Sequence, residues 1–371
     1  MELFTYGTLM SPALMAAVAG MDLPTPVPAT LADHAIFPVR GDVVPYIAPV
    51  AGGVVQGLVW RDLPDHAIMR LNLYENAFGY ALQSVTVQAD GKPRAVHVYL
   101  PAQDMPPGSG SWSLAGWEKS DLTPAIFAAQ ELFALDPLPA PETLRRQWPQ
   151  IAARAWNRHR ATAAPATLRR KAVVGDTQVA ANTRPMGGFF RFQGFDISHI
   201  RFDGTRSPVL QREVFIGFDA AIVLPYDPAR DRVLLLEQPR IGPLVRHDPN
   251  PWMLEAVAGI IDARETPEQA AMRETAEEAR LTPYRLIPAG SYYPSPGAVS
   301  EYFYSFVALC DLAVDAPYGG GLATEGEDLR LHPMDFDAAM ALADSGEITT
   351  GPLLMLLYWL ARHRAELRSM G

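Results

Sequence analysis

The stretch Gly259–Leu281, GIIDARETPEQAAMRETAEEARL, concentrates the acidic chemistry of this 371-residue chain. Five residues separate Gly259 from Glu265, seven more precede Arg273-Glu274, and Glu277-Glu278 lie just beyond. Thr266 is suited to cap a helix, Pro267 to its first position, and Gln269 to complete a capping box. On a helix running to about Arg280, Glu274, Glu277 and Glu278 fall at i, i+3 and i+4, so three carboxylates crowd one face. Like charges that close are unfavourable unless something cationic sits between them. Hard oxygen ligands clustered this way suit Mg²⁺, with Mn²⁺ as the alternative. A merely solvated acidic face is the plainer reading. The joint spacing of a glycine, a lone glutamate, an Arg-Glu pair and a Glu-Glu pair argues against it.

That spacing resembles the Nudix hydrolase box, and every charged position matches. Two positions depart: Thr275 stands where an aliphatic residue is usual, and Arg280 replaces the glycine that closes the helix with positive φ. Other stretches resemble the ADP-ribose pyrophosphatase branch of the family. They are REVF at Arg212–Phe215, LPYDPARDRVLLLEQPRIG at Leu224–Gly242, PWMLEAVAGII at Pro251–Ile261, YPSPGAVSE at Tyr293–Glu301 and GGLATEGEDLRLH at Gly320–His332. The resemblance implies an α/β/α sandwich, a mixed sheet with the box helix packed between sheets. It also implies Mg²⁺-dependent hydrolysis of ADP-ribose to AMP and ribose 5-phosphate. Another nucleotide sugar or a dinucleotide is the alternative substrate, and a non-catalytic ADP-ribose sensor the alternative role.

Carried over by position, the implied metal ligands are Glu274, Glu278, the backbone carbonyl of Ala258, and Glu327. Glu277 supports or shares a metal, Arg273 holds the carboxylates in place, and Glu325 is the implied catalytic base. Arg212, Glu213, Arg240 and Glu301 match substrate-contacting positions, with Arg240 suited to a bidentate phosphate clamp. Phe189-Phe190 matches an aromatic pair that stacks on adenine across a homodimer. Gly217 stands where relatives carry an arginine, which removes one substrate contact.

The N-terminal sequence carries a second constellation. TYGTL at Thr5–Leu9, PYI at Pro45–Ile47, VQGLVW at Val55–Trp60 and LNLYENAFGY at Leu71–Tyr80 occur in that order. Together they resemble the γ-glutamylcyclotransferase-like (AIG2-like) superfamily, which implies a small α+β barrel. In the resemblance, Tyr6, Gly7, Thr8 and Leu9 form the substrate loop, and Glu75 performs the proton transfers, with Asn72 replacing the usual aspartate. The chemistry implied is attack of a γ-glutamyl α-amine on its own side-chain carbonyl, which releases an amine and 5-oxoproline. A carboxylate serves as base and then acid there if burial raises its pKa toward neutrality. The fusion of the two domains looks like the tellurite-resistance-associated members of the ADP-ribose pyrophosphatase branch.

These constellations need scaffolds, and the chain is long enough for two domains. Residues 1–107 are expected to form the barrel, 108–165 a helical linker region, and 166–371 the Nudix domain. Expected strands are Leu3–Tyr6, Val54–Trp60, Leu82–Val87, Ala95–Leu100, Phe215–Leu224, Val233–Glu237, Met253–Val257, Tyr302–Leu309 and Asp328–His332. Expected helices, besides the box helix, are Ser11–Val18, Thr123–Leu135, Glu142–Arg160, Phe336–Ala343 and Leu353–Arg368. Hydrophobic residues at 49% with 19% charged indicate a globular protein, and a net charge of −10 argues against nucleic acid as the main partner. The lone Cys310 points to a reducing compartment. With no basic, apolar leader in MELFTYGTLM and no apolar run long enough to span a bilayer, a cytoplasmic protein without membrane contact is expected.

Overall fold

The computed structural model describes residues 1–161, 165–312, 319–321, 326 and 328–369. Glu325 and Glu327, the implied base and fourth metal ligand, lie outside the described residues. Two compact units divide the chain: Met1–Asp176 with Ala181–Phe189, and Thr177–Ala180 with Phe190–Gly371.

In the first unit the order is β1 (Leu3–Thr5), a 3₁₀ turn (Thr8–Met10), α1 (Pro12–Ala19), β2 (Val27–Pro38), β3 (Pro45–Trp60) and α2 (Asp65–Asn76). Next come β4 (Tyr80–Ala89), β5 (Lys92–Pro101), α3 (Leu114–Ala134) and α4 (Pro141–Arg160). The strands close into a barrel in the order β1-β3-β2-β4-β5. Closure needs β1 to press against β3. At Gly57, in VQGLVW, a Cβ would meet the Thr5 carbonyl oxygen at 2.3 Å and the Phe4 ring at 2.5 Å.

Alternation along the strands divides the core. Phe4, Ile47, Val59 and Val98 join the barrel interior with Tyr6 and Leu31. Their neighbours Leu3, Tyr46, Trp60 and Tyr99 join a second cluster with Leu14 and Met15 of α1 and Leu71 of α2. Leu132 of α3 and Leu144 and Ile151 of α4 complete that layer, so the helical segment after β5 belongs to this core.

The structure adds β2 and α2, neither anticipated, and starts β3 at Pro45 instead of Val54. A register shift between Ala32 and His34, with Asp33 at φ 55, interrupts the period-two pattern that would have marked β2.

The second unit opens with β6 (Thr177–Ala181), β7 (Arg191–His199) and β8 (Leu210–Ile216), a three-stranded sheet in that order. Then come β9 (Ala220–Asp227), β10 (Arg232–Pro239), α5 (Ile241–Arg246), β11 (Trp252–Glu255), β12 (Val257–Ile260) and α6 (Pro267–Ala279). The chain continues through β13 (Arg285–Tyr292), β14 (Phe303–Leu309), β15 (Gly319–Gly320), β16 (Leu329–Asp335), α7 (Phe336–Ser345) and α8 (Gly351–Arg368).

The main sheet runs β13-β14-β9-β10-β16-β15, with β11 added on β10 and β12 on β9. It is mixed, because β14 and β9 pair in parallel while β10, β12 and β13 pair antiparallel with their neighbours. β9 is buried on both faces. Ala221 and Val223 pack with Ala270, Ala271 and Ala279 of α6. Ile222 and Leu224 pack with Phe336 of α7 and Leu353, Leu356 and Leu360 of α8.

One mixed sheet therefore lies between helices, and the box helix covers one of its faces instead of sitting between two sheets. Two expected strands divide: Phe215–Leu224 breaks at Gly217 into β8 and β9 of different sheets, and Met253–Val257 breaks at Ala256 into β11 and β12 with different partners.

Candidate active sites

The box helix is built as its sequence dictates. The Thr266 hydroxyl accepts from the Gln269 N–H (3.2 Å), and the Gln269 side-chain oxygen accepts from the Thr266 N–H (2.8 Å). Arg280 ends it in the left-handed region at φ 55, the conformation that glycine adopts most readily. Thr275 is fully buried, and its hydroxyl donates to the Ala271 carbonyl one turn back (2.7 Å), so a polar side chain replaces an aliphatic one without an unsatisfied group.

The sheet-facing side of α6 is mostly alanine, which brings its backbone close to β12. Two glutamates exploit that approach. Glu278, 3% exposed, accepts the Ala258 N–H through one oxygen at 3.0 Å. The Glu274 carboxyl occupies the space beside Gly259, where a Cβ would lie 1.8 Å from Oε1. The glycine of the box is thus the seat of a carboxylate.

Arg273 ties the cluster together. Its Nε and one terminal nitrogen donate to the two oxygens of Glu265, each at 2.9 Å. The other terminal nitrogen donates to Glu274 (2.5 Å) and Glu277 (3.1 Å), and a further bond reaches the Ile260 carbonyl (3.0 Å). The hydrogen bonds to Glu265 and then the charge and contact of Glu274 hold the guanidinium pKa well above its ordinary value, against the cost of burial. Burial pushes the Asp262 carboxyl up, opposed by Arg273 and reinforced by Glu265 and Glu277. Glu265 also accepts the Asp262 N–H (3.0 Å), so this lone glutamate is the outer anchor of the arginine.

The donors present are carboxylates and a strand carbonyl, oxygen ligands of the kind a hard divalent cation takes. They fit Mg²⁺ chemically. Among the described residues no three acidic, histidine or cysteine side chains converge as a complete metal cage.

The implied substrate-contacting residues are scattered more widely. Arg240 donates to Glu255 of β11 at 2.8 Å, and Gln238 donates to the same oxygen at 3.2 Å. Burial raises the Glu255 carboxyl pKa, with Arg240 pulling it down. Glu255 was not among the expected site residues, although it stands in the quoted PWMLEAVAGII. The cue was the pairing of β11 with β10, which sets Glu255 opposite Leu236 and within reach of the Gln238 and Arg240 side chains, a placement sequence spacing does not display.

Glu301, also raised by burial, fills the space at Gly217, where a Cβ would come within 2.4 Å of its Cγ. The position of the missing arginine is thus taken by a carboxylate side chain. Arg212 and Glu213 are exposed on β8, and Arg212 bonds its neighbour's carbonyl at Gln211 (2.7 Å). Phe190, 37% exposed, packs against Phe215 and Phe218 with ring centroids at 4.7 and 5.6 Å. Phe189 is 50% exposed, and its carbonyl accepts from Arg154 (2.6 Å).

The barrel unit holds a second site. Glu75 sits in the last turn of α2, half-buried, and burial pushes its carboxyl from 4.5 up to about 8. Tyr6, Tyr74, Tyr80 and Tyr99 all lie within its electrostatic reach and have their hydroxyl pKa values raised, by burial first and by Glu75 among the charges. Tyr6 donates to the Tyr99 carbonyl (3.0 Å), Tyr80 to the Pro45 carbonyl (3.1 Å), and Tyr99 to the Asn72 side chain (2.8 Å).

Asn72 therefore serves as a tyrosine acceptor one turn from Glu75. TYGTL is the link from β1 to the 3₁₀ turn. Tyr6 and Leu9 are buried, while Gly7 and Thr8 are partly open, and Gly7 abuts the Pro45 ring. The structure brings TYGTL, PYI and LNLYENAFGY together, with Gly7 against Pro45 and the Tyr80 hydroxyl on the Pro45 carbonyl.

Comparison with known proteins matches both halves. Residues 3–114 match the family described as gamma-glutamyl cyclotransferase, AIG2-like, and residues 218–348 match the NUDIX domain. An ADP-ribose pyrophosphatase of Escherichia coli (strain K12) is 37% identical over 194 residues, 52% of this chain and 92% of that protein. One from Haemophilus influenzae is 34% identical over 195 residues, covering 52% and 89%. A GDP-mannose pyrophosphatase of Enterobacter sp. (strain 638) is 32% identical over 170 residues, covering 45% and 87%. With the box carboxylates gathered by Arg273 over β12, and with these relatives nearly spanned in length, the chain belongs to the Nudix hydrolase family and carries an AIG2-like γ-glutamyl cyclotransferase domain ahead of its Nudix domain.

Proposed function

We propose that the Nudix domain hydrolyses ADP-ribose to AMP and ribose 5-phosphate. The observation that carries the reading is the Arg273-centred carboxylate cluster, in which Glu274 is seated on Gly259 and Glu278 on the Ala258 N–H. Relatives named ADP-ribose pyrophosphatase support the substrate. Glu274, Glu278, the Ala258 carbonyl and Glu327 would hold Mg²⁺. When bound, the ion neutralises pyrophosphate charge and lowers the pKa of water beside it.

The chain's own residues supply the rest. Arg273 fixes the carboxylates by hydrogen bonds. Arg240, poised by Glu255, is available to clamp a phosphate. Phe190 offers an exposed ring for a base, and Glu325 takes the proton of the attacking water as the P–O–P bond breaks. Pairing through the Nudix domain into a homodimer belongs to the same reading.

The test is AMP release with Mg²⁺ from ADP-ribose, GDP-mannose, other nucleotide sugars and dinucleotides, for wild type, Glu278→Gln and Glu325→Gln. ADP-ribose-selective release lost in both variants is the expected result. Preferred turnover of GDP-mannose, which the Enterobacter relative makes the nearest rival, would discard the substrate and keep the chemistry. Tight ADP-ribose binding without release would indicate a sensor.

A second reading concerns the barrel. The half-buried Glu75 carboxyl, raised to about 8 among tyrosines, supports γ-glutamyl cyclotransfer. The substrate α-amine nitrogen bonds to the γ-carbonyl carbon, and the bond from that carbon to the departing nitrogen breaks. Glu75 takes the proton from the attacking nitrogen and returns it to the leaving one. No water or redox partner is consumed, and the products are 5-oxoproline and an amine. Release of 5-oxoproline from γ-glutamyl amides, abolished by Glu75→Gln, is the test.

A further inference from the structure

We infer that Gly320 and Gly321 are positioning residues for Glu278. From β15 they cap the C-terminal end of the box helix, and the cap holds the Glu278 carboxylate where it can take a metal ion. The inference rests on the reading of Glu278 as a metal ligand.

The last four carbonyls of a helix have no partner within it, and α6 ends at Ala279. Its exit turn does not serve Glu278. The Arg280 and Leu281 N–H groups both return to the Thr275 carbonyl. The Glu278 carbonyl is satisfied from a distant strand instead, accepting the Gly321 N–H at 3.2 Å.

The approach needs glycine. A Cβ at Gly320 would lie 1.9 Å from the Glu278 carbonyl oxygen and 3.1 Å from its carbon, so main chain would have to move. Gly321, at φ 83, takes a left-handed conformation that costs glycine little. β15 is meanwhile held to the sheet, with Gly319 opposite Arg330 and Gly320 opposite Leu329 of β16.

Glu278 is thus fixed at both ends. Its carboxylate accepts the Ala258 N–H of β12 at 3.0 Å, and its main-chain carbonyl accepts from β15. The residue is buried, and in close-packed surroundings a shift of its backbone carries through to the carboxylate oxygens. Partners that orient a metal ligand without touching the metal typically contribute about 10–100-fold to affinity. Coupling of this kind is reciprocal, so occupancy of the carboxylate should steady the Gly321 bond by up to the same factor.

The experiment uses the full chain. Mn²⁺ binding is followed by electron paramagnetic resonance, and Mg²⁺ is titrated into protein labelled with ¹⁵N-glycine for NMR. The Gly321 cross-peak is identified by its disappearance in Gly321→Ala. In wild type its amide should exchange with solvent more slowly on saturation with Mg²⁺, by up to about 10–100-fold, and Glu278→Gln should abolish that response. This arm tests the link with the cap itself unaltered. Gly320→Ala should weaken Mn²⁺ binding by about 10–100-fold with a cooperative melting transition retained. Its pyrophosphohydrolase activity should recover toward wild type as Mg²⁺ is raised.

Unchanged Mn²⁺ affinity in Gly320→Ala, or a wild-type Gly321 amide indifferent to Mg²⁺, would overturn the positioning role; loss of Mn²⁺ binding in Glu278→Gln would then leave Glu278 a ligand. Mn²⁺ bound by Glu278→Gln as tightly as by wild type would instead remove the ligand reading, and the inference with it.

Discussion

Gly259 shows how much of this chemistry hangs on single atoms. A Cβ there falls inside the Glu274 carboxyl, so Gly259→Ala must expel that carboxylate from β12 and from Arg273. Nudix activity should fall by about 10–100-fold, the usual effect of misplacing a group that orients metal ligands. Mg²⁺ titration of pyrophosphohydrolase activity would show it as a weaker metal requirement curve; wild-type activity in the variant would break the link between this glycine and the site.

Glu75 has its own pH signature. Its folded pKa is raised from 4.5 to about 8, so its contribution to stability is full below the ordinary value and is lost as pH climbs toward the folded one. Wild type should therefore lose thermal stability between about pH 5 and pH 9 relative to Glu75→Gln. Cyclotransferase kcat/KM should rise across the same interval with a midpoint near 8, because the base form is needed for attack. Parallel melting curves for the two proteins would contradict the buried-carboxyl account.

At the scale of elements, α6 is a helix whose two ends differ in quality. Its N-terminus has a complete capping box, whereas Arg280 takes a left-handed conformation at its C-cap that costs a residue with a Cβ. Arg280→Gly should stabilise the second unit by about 0.5–1 kcal/mol, the strain relieved less the added freedom of the unfolded chain. Urea unfolding of the two proteins measures it.

α4 plays a comparable supporting part in the barrel unit. Trp148 packs edge-on against Tyr74 and Phe78, at 5.9 and 4.8 Å between centroids, and Arg145 donates to the Ala77 carbonyl at 2.8 Å. The turn that carries Glu75 is thus held from a helix well beyond the family match, which ends at residue 114.

For the whole molecule this has a direct consequence. The barrel core includes Trp117, Leu132, Leu144 and Ile151 of α3 and α4. Fully burying one such leucine or isoleucine contributes about 1.5–3 kcal/mol, comparable with a sizeable share of a small domain's net stability. A fragment of residues 1–161 should unfold cooperatively in circular dichroism, whereas residues 1–113 should aggregate or melt without a transition. Cooperative folding of the shorter fragment would show that α3 and α4 are dispensable. None of the helices among the described residues is long and apolar enough to cross a membrane.

Local chemistry was legible from residue order alone. The capping box and the span of α6 depend on neighbours within about two helical turns, and Thr266 and Gln269 stand at the spacing such contacts demand. The seating of Glu274 on Gly259 and of Glu278 on Ala258, by contrast, required β12 to pack against the helix. The motifs TYGTL, PYI and LNLYENAFGY, through the family they resemble, pointed to the small barrel that the strands close. Long-range pairing had no such signature. β2 hid because a bulge at Asp33 breaks its alternation, and Phe215–Leu224 read as one strand although Gly217 turns it from one sheet into another. Glu255 joined Arg240 only through the pairing of β10 with β11, and the Glu301 carboxyl reached Gly217 from a position 84 residues further along the chain (301 − 217 = 84). Sequence specifies what a helix turn or a capped end will do, because those contacts are a few residues long. Which carboxylate is buried, which arginine is paired and which strand edge closes the barrel depend on surfaces that exist only once distant segments have packed.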